Sequence, residues 1–141
     1  MMYVLDTNVV SELRKAGRAN SNVLAWANNV ATGTLYISAV TILELELGIL
    51  SLERRDQPQA SILRSWMQSH VLPAFDGRVL PVDTAVALQC AQLHVPNRRA
   101  ERDALIAATA IIHGMTVVTR NVGDFEGTGV LLINPWEHDE G

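Results

Sequence analysis

Near its N-terminus the chain reads Tyr3-Val4-Leu5-Asp6-Thr7-Asn8, an apolar run that changes abruptly into polar residues. The apolar part favours an extended chain, so we predict a short buried strand, at the centre of a sheet, with Asp6 at its carboxyl end. In open α/β sheets, ligand sites lie outside the carboxyl ends of the strands. The sequence therefore predicts that Asp6 lies in a cleft, which other acids at the same edge would share.

The composition is that of one folded domain. The chain has 141 residues, of which 48% are hydrophobic and 18% charged, an ordinary globular composition rather than a disordered one. Cys90 is the only cysteine, which excludes an intrachain disulfide and favours a reducing cytoplasm. No apolar run approaches the roughly 20 residues of a membrane span, and the N-terminus lacks the pattern of a secretory signal.

The charge is negative overall but unevenly distributed. A net charge of −4 argues against a protein coated in positive charge. Most of the 11 basic residues nevertheless fall in three clusters: Arg14, Lys15 and Arg18; Arg54 and Arg55; Arg98, Arg99 and Arg102. Such clusters either hold phosphates or form solvated surface.

Extended and helical patterns alternate along the chain. After the first strand, strands are predicted at 35–38, 79–82, 115–119 and 130–133, and helices at 7–14, 21–29, 39–55, 58–70, 83–93 and 103–113. The 79–82 strand is expected at an edge of the sheet because it contains a proline, and Ser21 or Asn22 is expected to cap the second helix. This alternation predicts an α/β fold, a single domain over residues 1–136 with a central parallel sheet flanked by helices. Residues 137–141 are predicted to be an acidic, disordered tail.

Four acids occupy comparable places in this pattern. Asp6 follows the first strand, Glu44 lies in the helix after the second, Asp103 begins a buried helix, and Asp124 follows the strand that ends at Thr119. Right-handed crossovers place the strand ends on one edge of the sheet. Converging carboxylates cannot all stay ionised without a cation, and Mg²⁺ or Mn²⁺ suits ligands that are all oxygen.

Glu44 and Glu46 are alternatives for the helix that follows the second strand. Residues two apart on a helix point in different directions, so we expect one inward acid. Glu44 shares its face with Gly48, which would allow another backbone to approach closely. We therefore predict Glu44 as the inward acid and Glu46 as surface.

Each acid also has a structural explanation. Asp6 and Asp103 can be helix N-caps, Asp124 a turn residue, and Glu44 a surface residue. Other chemistries fit less well: the four histidines lack metal-motif spacing, Cys90 has the apolar neighbours of a core residue, and there is no G-x-S-x-G or phosphate-loop motif.

The ordered motifs resemble those of PIN-domain ribonucleases of the VapC toxin type, in the FitB-like subgroup. The resemblance covers essentially the whole chain and is carried by residues 5–13, 38–48, 103–110, 118–125 and 134–136. It implies acidic metal ligands at Asp6, Glu44 and Asp103. Members carry a fourth acid at either the 121 or the 124 position; because 121 is Asn here, the role passes to Asp124, with Asn121 as a neutral neighbour. Four polar positions match residues that line such sites: Thr7, Asn8, Ser38 and Thr119.

The resemblance also implies a reaction and partners. The reaction is hydrolysis of an RNA phosphodiester by water that Mg²⁺ or Mn²⁺ activates. Asp6 and Asp103 would hold the ion most directly, and Glu44 and Asp124 would act through water or at a second ion. The implied partners are a second copy of the chain and a small antitoxin whose segment occupies the acidic groove in a larger assembly. The RNA target is left open.

Two other functions are compatible with the residues alone. A phosphatase with Asp6 as nucleophile would want a second Asp two residues on, where this chain has Asn8. A non-catalytic PIN-like module would bind RNA or a partner without cutting. Asn121, where a site acid is missing, is the feature that favours it.

Overall fold

A five-stranded parallel sheet forms the centre of the computed structural model, which describes residues 1–15 and 17–139. Its strands are β1 (Tyr3–Leu5), β2 (Leu35–Ser38), β3 (Val79–Leu80), β4 (Thr116–Val118) and β5 (Leu132–Ile133). They lie in the order β3-β2-β1-β4-β5, with β1 paired in parallel to β2 and β4. The predicted central position of the first strand is thus confirmed, as is the predicted edge position of β3.

Helices cover both faces of the sheet. They are α1 (Thr7–Leu13), α2 (Ser21–Asn28), α3 (Ala39–Glu53), α4 (Gln57–Trp66), α5 (Leu72–Ala74), α6 (Thr84–Leu93) and α7 (Glu101–His113). A π-helical turn, Met67–Val71, joins α4 to α5, and short 3₁₀ turns lie at Thr32–Thr34, Val122–Phe125 and Pro135–Glu137. The predicted single α/β domain with helices on both sides of a parallel sheet is therefore confirmed.

The core has two layers because alternate residues of a strand point to opposite faces. Leu5 and Val118 lie in one layer, and Val4 and Val117 lie in the other; all four are fully buried. The second layer also receives Ile106, Ala107 and Ala110 of α7. Ala104 and Ala108 of the same helix pack with Val86 and Cys90 of α6, and all five residues of α7 are at most 1% exposed. The predicted burial of this helix is confirmed.

Polar residues make the transitions from strand to helix. Asp6 follows β1 and caps α1, accepting a hydrogen bond of 2.8 Å from the Thr7 amide. Ser38 ends β2 and caps α3, accepting one of 3.0 Å from the Val40 amide. Because the same residues end strands and begin helices, their side chains lie at the carboxyl edge of the sheet.

The N-caps of two helices differ from the predictions. Helix α7 begins at Glu101 rather than Asp103, and Asp103 therefore lies inside its first turn and is not its N-cap. Helix α2 is capped by Asn20 rather than by Ser21 or Asn22, because the Asn20 side chain accepts bonds from the amides of Asn22 and Val23. In both cases the polar residue named by the sequence is one to three positions inside the helix.

Two further predictions are corrected. No atom lies within 4 Å of a Cβ built at Gly48, so no backbone approaches it; the residue is exposed on α3. The predicted tail starts too early, because Glu137 belongs to the last 3₁₀ turn and His138 Nε2 lies 3.4 Å from Asn29 Nδ2. Glu140 and Gly141 lie outside the described residues. Across the described parts of the chain, every helix is too short or too polar to cross a membrane.

Replacing Gly114 and Gly48 by alanine should change stability in opposite directions. Gly114 ends α7 with φ 65°, and nothing lies within 4 Å of a Cβ built there, so any cost is conformational. We expect Gly114→Ala to lower the free energy of unfolding by about 1 kcal/mol and Gly48→Ala, in an exposed helix interior, to raise it by about 0.5–1 kcal/mol. Urea unfolding measures both, and a loss of stability in Gly48→Ala would contradict the open surroundings of that residue.

Candidate active site

Asp6 is a buried acid held by three neighbours. It is 6% exposed. One carboxylate oxygen accepts the bond from the Thr7 amide. The other, Oδ2, accepts a bond of 2.8 Å from the Thr119 hydroxyl and a longer one, 3.3 Å, from the Asn8 amide group. Asp6 is therefore both the N-cap of α1 and a fixed carboxylate at the mouth of the central strand.

The residues after β4 support Asp6 from the other side. Thr119 is fully buried, and its hydroxyl also accepts bonds from the Asn121 amide at 3.0 Å and from Asn8 Nδ2 at 3.3 Å. Asn8 Oδ1 in turn accepts a bond of 3.3 Å from the Arg120 amide. The structure thus brings Thr7, Asn8, Thr119 and Asn121 around Asp6.

Glu44 reaches the same region from α3. Its Oε1 accepts a bond of 2.8 Å from the Thr7 hydroxyl, which lies 3.1 Å from Thr41 Oγ1. Its Oε2 lies 3.7 Å from Nη1 of Arg102. Glu46 points elsewhere and accepts a bond of 2.6 Å from Arg64, so the predicted assignment of Glu44 inward and Glu46 to the surface agrees with the geometry.

Asp103 shows that the four acids share one electrostatic environment. Burial raises its pKa to about 6, and the negative charges of Asp6, Asp124 and Glu44 add to that shift. Burial also raises the pKa of Asp6, against the hydrogen bonds from Thr119 and Thr7, and Glu44 and Asp124 again contribute. Both shifts have the sign expected when carboxylates are close together and partly removed from water.

The acids are close but not clustered tightly. Asp124 is an exposed residue of the 3₁₀ turn that follows β4, and Ser38, predicted to line the site, uses its hydroxyl to cap α3. Within residues 1–15 and 17–139, potential metal ligands whose atoms all lie within 4.8 Å of one another form a group of three at Cys90, His94 and Glu101. This group does not include any of the four acids. The oxygen-only donors at Asp6, Glu44, Asp103 and Asp124, two of them with raised pKa, are nevertheless suited to a hard divalent cation.

The group of Cys90, His94 and Glu101 is not suited to a metal. The Arg99 amide donates a bond of 3.1 Å to His94 Nδ1, so a neutral imidazole carries its proton on Nε2. His94 Nε2 lies 2.8 Å from Glu101 Oε2, but the two atoms are not aligned for a hydrogen bond. To bind a metal, Nε2 would first have to lose its proton. Cys90 is buried and burial raises the pKa of its thiol, which confirms its prediction as a core residue.

A groove leads away from the acids between α1, α3 and α4. It starts at Thr7 and Glu44 and runs past Arg14 and Arg55 to Trp66, and the guanidinium carbon of Arg14 lies 5.9 Å from the centre of the Trp66 ring. Two of the three basic clusters therefore border a groove that opens on the acidic site. Thr41 and Arg102 also contact site residues, and sequence reasoning missed both as site residues because their contacts join distant parts of the chain.

Comparisons with known proteins agree with this architecture. The family model of the PIN domain matches residues 3–129. The VapC ribonuclease Y4jK of Sinorhizobium fredii is 40% identical over 141 residues, 96% of this chain and 99% of the relative. The toxin FitB of Neisseria gonorrhoeae is 38% identical over 143 residues, 98% of this chain and 100% of FitB. The structure of FitAB bound to the IR36 DNA fragment is similar with a TM-score of 0.87 and 37% identity, covering 98% of both chains.

The chain therefore belongs to the PIN-domain family, whose nucleases typically depend on metal ions. Within that family it is a ribonuclease toxin of the VapC type, from a toxin–antitoxin system, and its similarity to FitB extends over the full length. The resemblance stated from the sequence motifs is confirmed at both levels.

The raised pKa of Asp103 predicts how stability depends on pH. Folding favours its neutral form, so this contribution is complete below the ordinary pKa of 3.8 and is lost as the pH rises through about 6. Without metal, we expect Asp103→Asn to be more stable than the parent by about 1 kcal/mol at about pH 7.5, allowing for solvent screening, and equally stable at about pH 4. Urea unfolding in EDTA measures this difference.

The control is Asp76→Asn, which neutralises an exposed acid in a turn. Its effect should be small and similar at both pH values. Added Mg²⁺ should stabilise the parent more than Asp103→Asn, because a ligand stabilises the state that binds it. If Asp103→Asn is less stable than the parent at neutral pH, the result would contradict the repulsion between carboxylates described for this site.

Proposed function

We propose that this chain hydrolyses RNA phosphodiester bonds with Mg²⁺ or Mn²⁺ at a site formed by Asp6, Glu44, Asp103 and Asp124. The observation that carries the proposal is the pKa of Asp103, raised to about 6 by burial and by the other three acids. A protein that holds four carboxylates in one place stores electrostatic repulsion that a divalent cation relieves. Perturbed acids in a cleft are common at catalytic sites.

The residues divide by how firmly they are already held. Asp6 is fixed by Thr119, Asn8 and the Thr7 amide, which suits a direct ligand whose position must not change. Asp103 lies in the first turn of α7, a helix whose following turns are packed in the core, and we assign it the second direct position. When bound, the divalent cation would neutralise charge on the phosphodiester and lower the pKa of the attacking water.

Glu44 and Asp124 are assigned indirect positions. Both oxygens of Glu44 already have partners, the Thr7 hydroxyl on Oε1 and Arg102 on Oε2. Asp124 is exposed to solvent. Such carboxylates can accept hydrogen bonds from water and orient it, or help to hold a second ion.

The partners follow from the same surface. We propose that an antitoxin segment covers the groove past Arg14, Arg55 and Trp66 and places a positive side chain among the acids, since arginine pairs well with carboxylates.

We also propose a homodimer in the cytoplasm. Exposed leucines at i, i+4 and i+7 of α3 offer an apolar surface for it: Leu43, Leu47 and Leu50. Sedimentation velocity of the protein alone would contradict the dimer if it gave a monomer at micromolar concentration.

The two other functions gain no support from the geometry. A phosphatase with Asp6 as nucleophile lacks an acid at position 8, where Asn8 instead donates to Asp6 and Thr119. A non-catalytic module has no need to keep four acids at the expense of mutual repulsion. Hydrolysis of RNA is the function to test.

Removing either direct ligand should abolish cleavage. We expect the antitoxin-free protein to cut RNA with Mg²⁺ or Mn²⁺ and to stop in EDTA, and Asp6→Asn and Asp103→Asn to lose roughly 100-fold or more of the rate, because each substitution removes a charge from the site. Gel analysis of total RNA measures this, with Asp76→Asn as a charge-matched control. Unimpaired cutting by folded Asp6→Asn and Asp103→Asn proteins would mean that the activity is contamination and the site is wrong.

Substitutions of Asp124 and of Asn121 should have clearly different effects on the rate of RNA cleavage. Asp124 acts on the pKa of both Asp6 and Asp103, whereas Asn121 donates its backbone amide to Thr119. We expect Asp124→Asn to lower the cleavage rate by roughly 10-fold or more and Asn121→Ala to change it by less than about 3-fold. If Asn121→Ala lowered the cleavage rate more than Asp124→Asn, the fourth position of the site would be assigned to Asn121 instead.

A further inference from the structure

Arg102 is a positive side chain placed directly at the acidic site. It lies in the first turn of α7, next to Asp103. Its Nη1 is 3.7 Å from Oε2 of Glu44, and its side chain is 51% exposed against 26% for that of Glu44. The guanidinium is therefore next to the acids and also in contact with solvent.

The negative charge of the four acids creates a need for a further positive side chain when RNA binds. One divalent cation offsets two of the four carboxylates, and the site then still repels the negative phosphodiester. A substrate that carries negative charge needs a further positive group at the point of approach, as arginines supply in other phosphoryl-transfer sites.

The ion pair with Glu44 is easily exchanged. It is long and half exposed, the kind of pair that contributes little to stability. Other arginines are engaged more firmly: Arg64 contacts Glu46 at 2.6 Å and Glu53 at 3.4 Å, and Arg99 donates to the carbonyls of Leu93 and Glu126 at 3.1 and 2.7 Å. Arg102 can thus change partner without loss of the fold.

We propose that Arg102 is a substrate-binding residue: its guanidinium leaves Glu44 and binds a non-bridging oxygen of the RNA phosphate beside the four acids. This rests on the proposed function, since it assumes that RNA occupies the acidic site. Guanidinium and phosphate form short, charge-assisted hydrogen bonds, which are stronger than the 3.7 Å contact they replace.

The test is RNA binding without cleavage. Fluorescence anisotropy would follow a labelled, mixed-sequence single-stranded RNA of about 12 nucleotides with Ca²⁺ in place of Mg²⁺, its integrity checked on a gel. At about 50 mM salt we expect Arg102→Gln to bind roughly 5- to 20-fold more weakly than wild type. The slope of log affinity against log salt should fall in magnitude by about 0.7, the value for one phosphate contact on a single strand.

Two variants serve as controls. Arg64→Gln removes the same charge from a side chain held by Glu46 and Glu53 and should leave the affinity within about 2-fold and the salt slope unchanged. Arg102→Lys keeps the charge and should retain the slope with part of the affinity. If Arg102→Gln binds like Arg64→Gln, or if the wild-type protein binds no RNA, the proposal is overturned.

A third comparison excludes an effect transmitted through Glu44. Glu44→Gln frees Arg102 and should tighten RNA binding, and adding Arg102→Gln to it should remove that gain. If Arg102→Gln has no effect in the Glu44→Gln background, Arg102 only positions Glu44 and the proposal fails. The binding measurements do not require cleavage, so a wild-type protein that binds through Arg102 but cuts no RNA would reject the proposed hydrolysis alone.

Discussion

The hydrogen bond from the Thr119 hydroxyl to Asp6 Oδ2 joins the ends of the two central strands, and the rest of the site depends on it. A carboxylate that is 6% exposed is costly unless its oxygens have partners. Here Thr119 comes from the residue directly after β4, and α1 supplies the Thr7 amide and Asn8. The pairing of β1 with β4 is therefore what brings Thr119 to Asp6. A strand order that separated β1 from β4 would remove the Thr119 bond and leave Oδ2 of this buried acid with the longer bond from Asn8 alone.

The same arrangement explains how the site tolerates its charge. Asp6 is stabilised by hydrogen bonds, and Glu44 by its contacts with Thr7 and Arg102. The pKa of Asp103, raised to about 6, favours its neutral form, and Asp124 is exposed to solvent. Each acid reduces repulsion by a different means, so the fold survives without a cation while the acids remain available to one. A ribonuclease toxin also has to be restrained by its partner, and a site that attracts positive groups is open to occupation by a cation, an arginine of this chain or a basic antitoxin segment.

The sequence was sufficient for the parts of the structure that depend on local pattern. The abrupt change after Leu5 predicted the central strand and the acid at its end, and the alternation of strands and helices predicted the parallel sheet. The start of α7 was misplaced because its N-cap, Ala100, has no capping side chain, and the close approach at Gly48 was wrong because the groove lies there instead. The contacts of Glu44 with Thr7 and Arg102 span 37 and 58 positions in the chain, which no local pattern reports. The roles of the acids came from the resemblance and not from spacing.

The most direct measurement is calorimetric titration of the protein with Mn²⁺ at about pH 6, in buffers of different ionisation enthalpy, beside Asp103→Asn. If the four acids form one cation site, binding must displace the proton that part of the Asp103 carboxyl groups carry at this pH, because ligands are deprotonated when they bind a metal. With the pKa of Asp103 near 6, the account predicts that Asp103 releases about half a proton per ion at that pH, falling towards zero at about pH 8, and that Asp103→Asn releases correspondingly fewer protons. Mn²⁺ binding that releases no proton from the parent, or the same number from both proteins, would contradict the shared site.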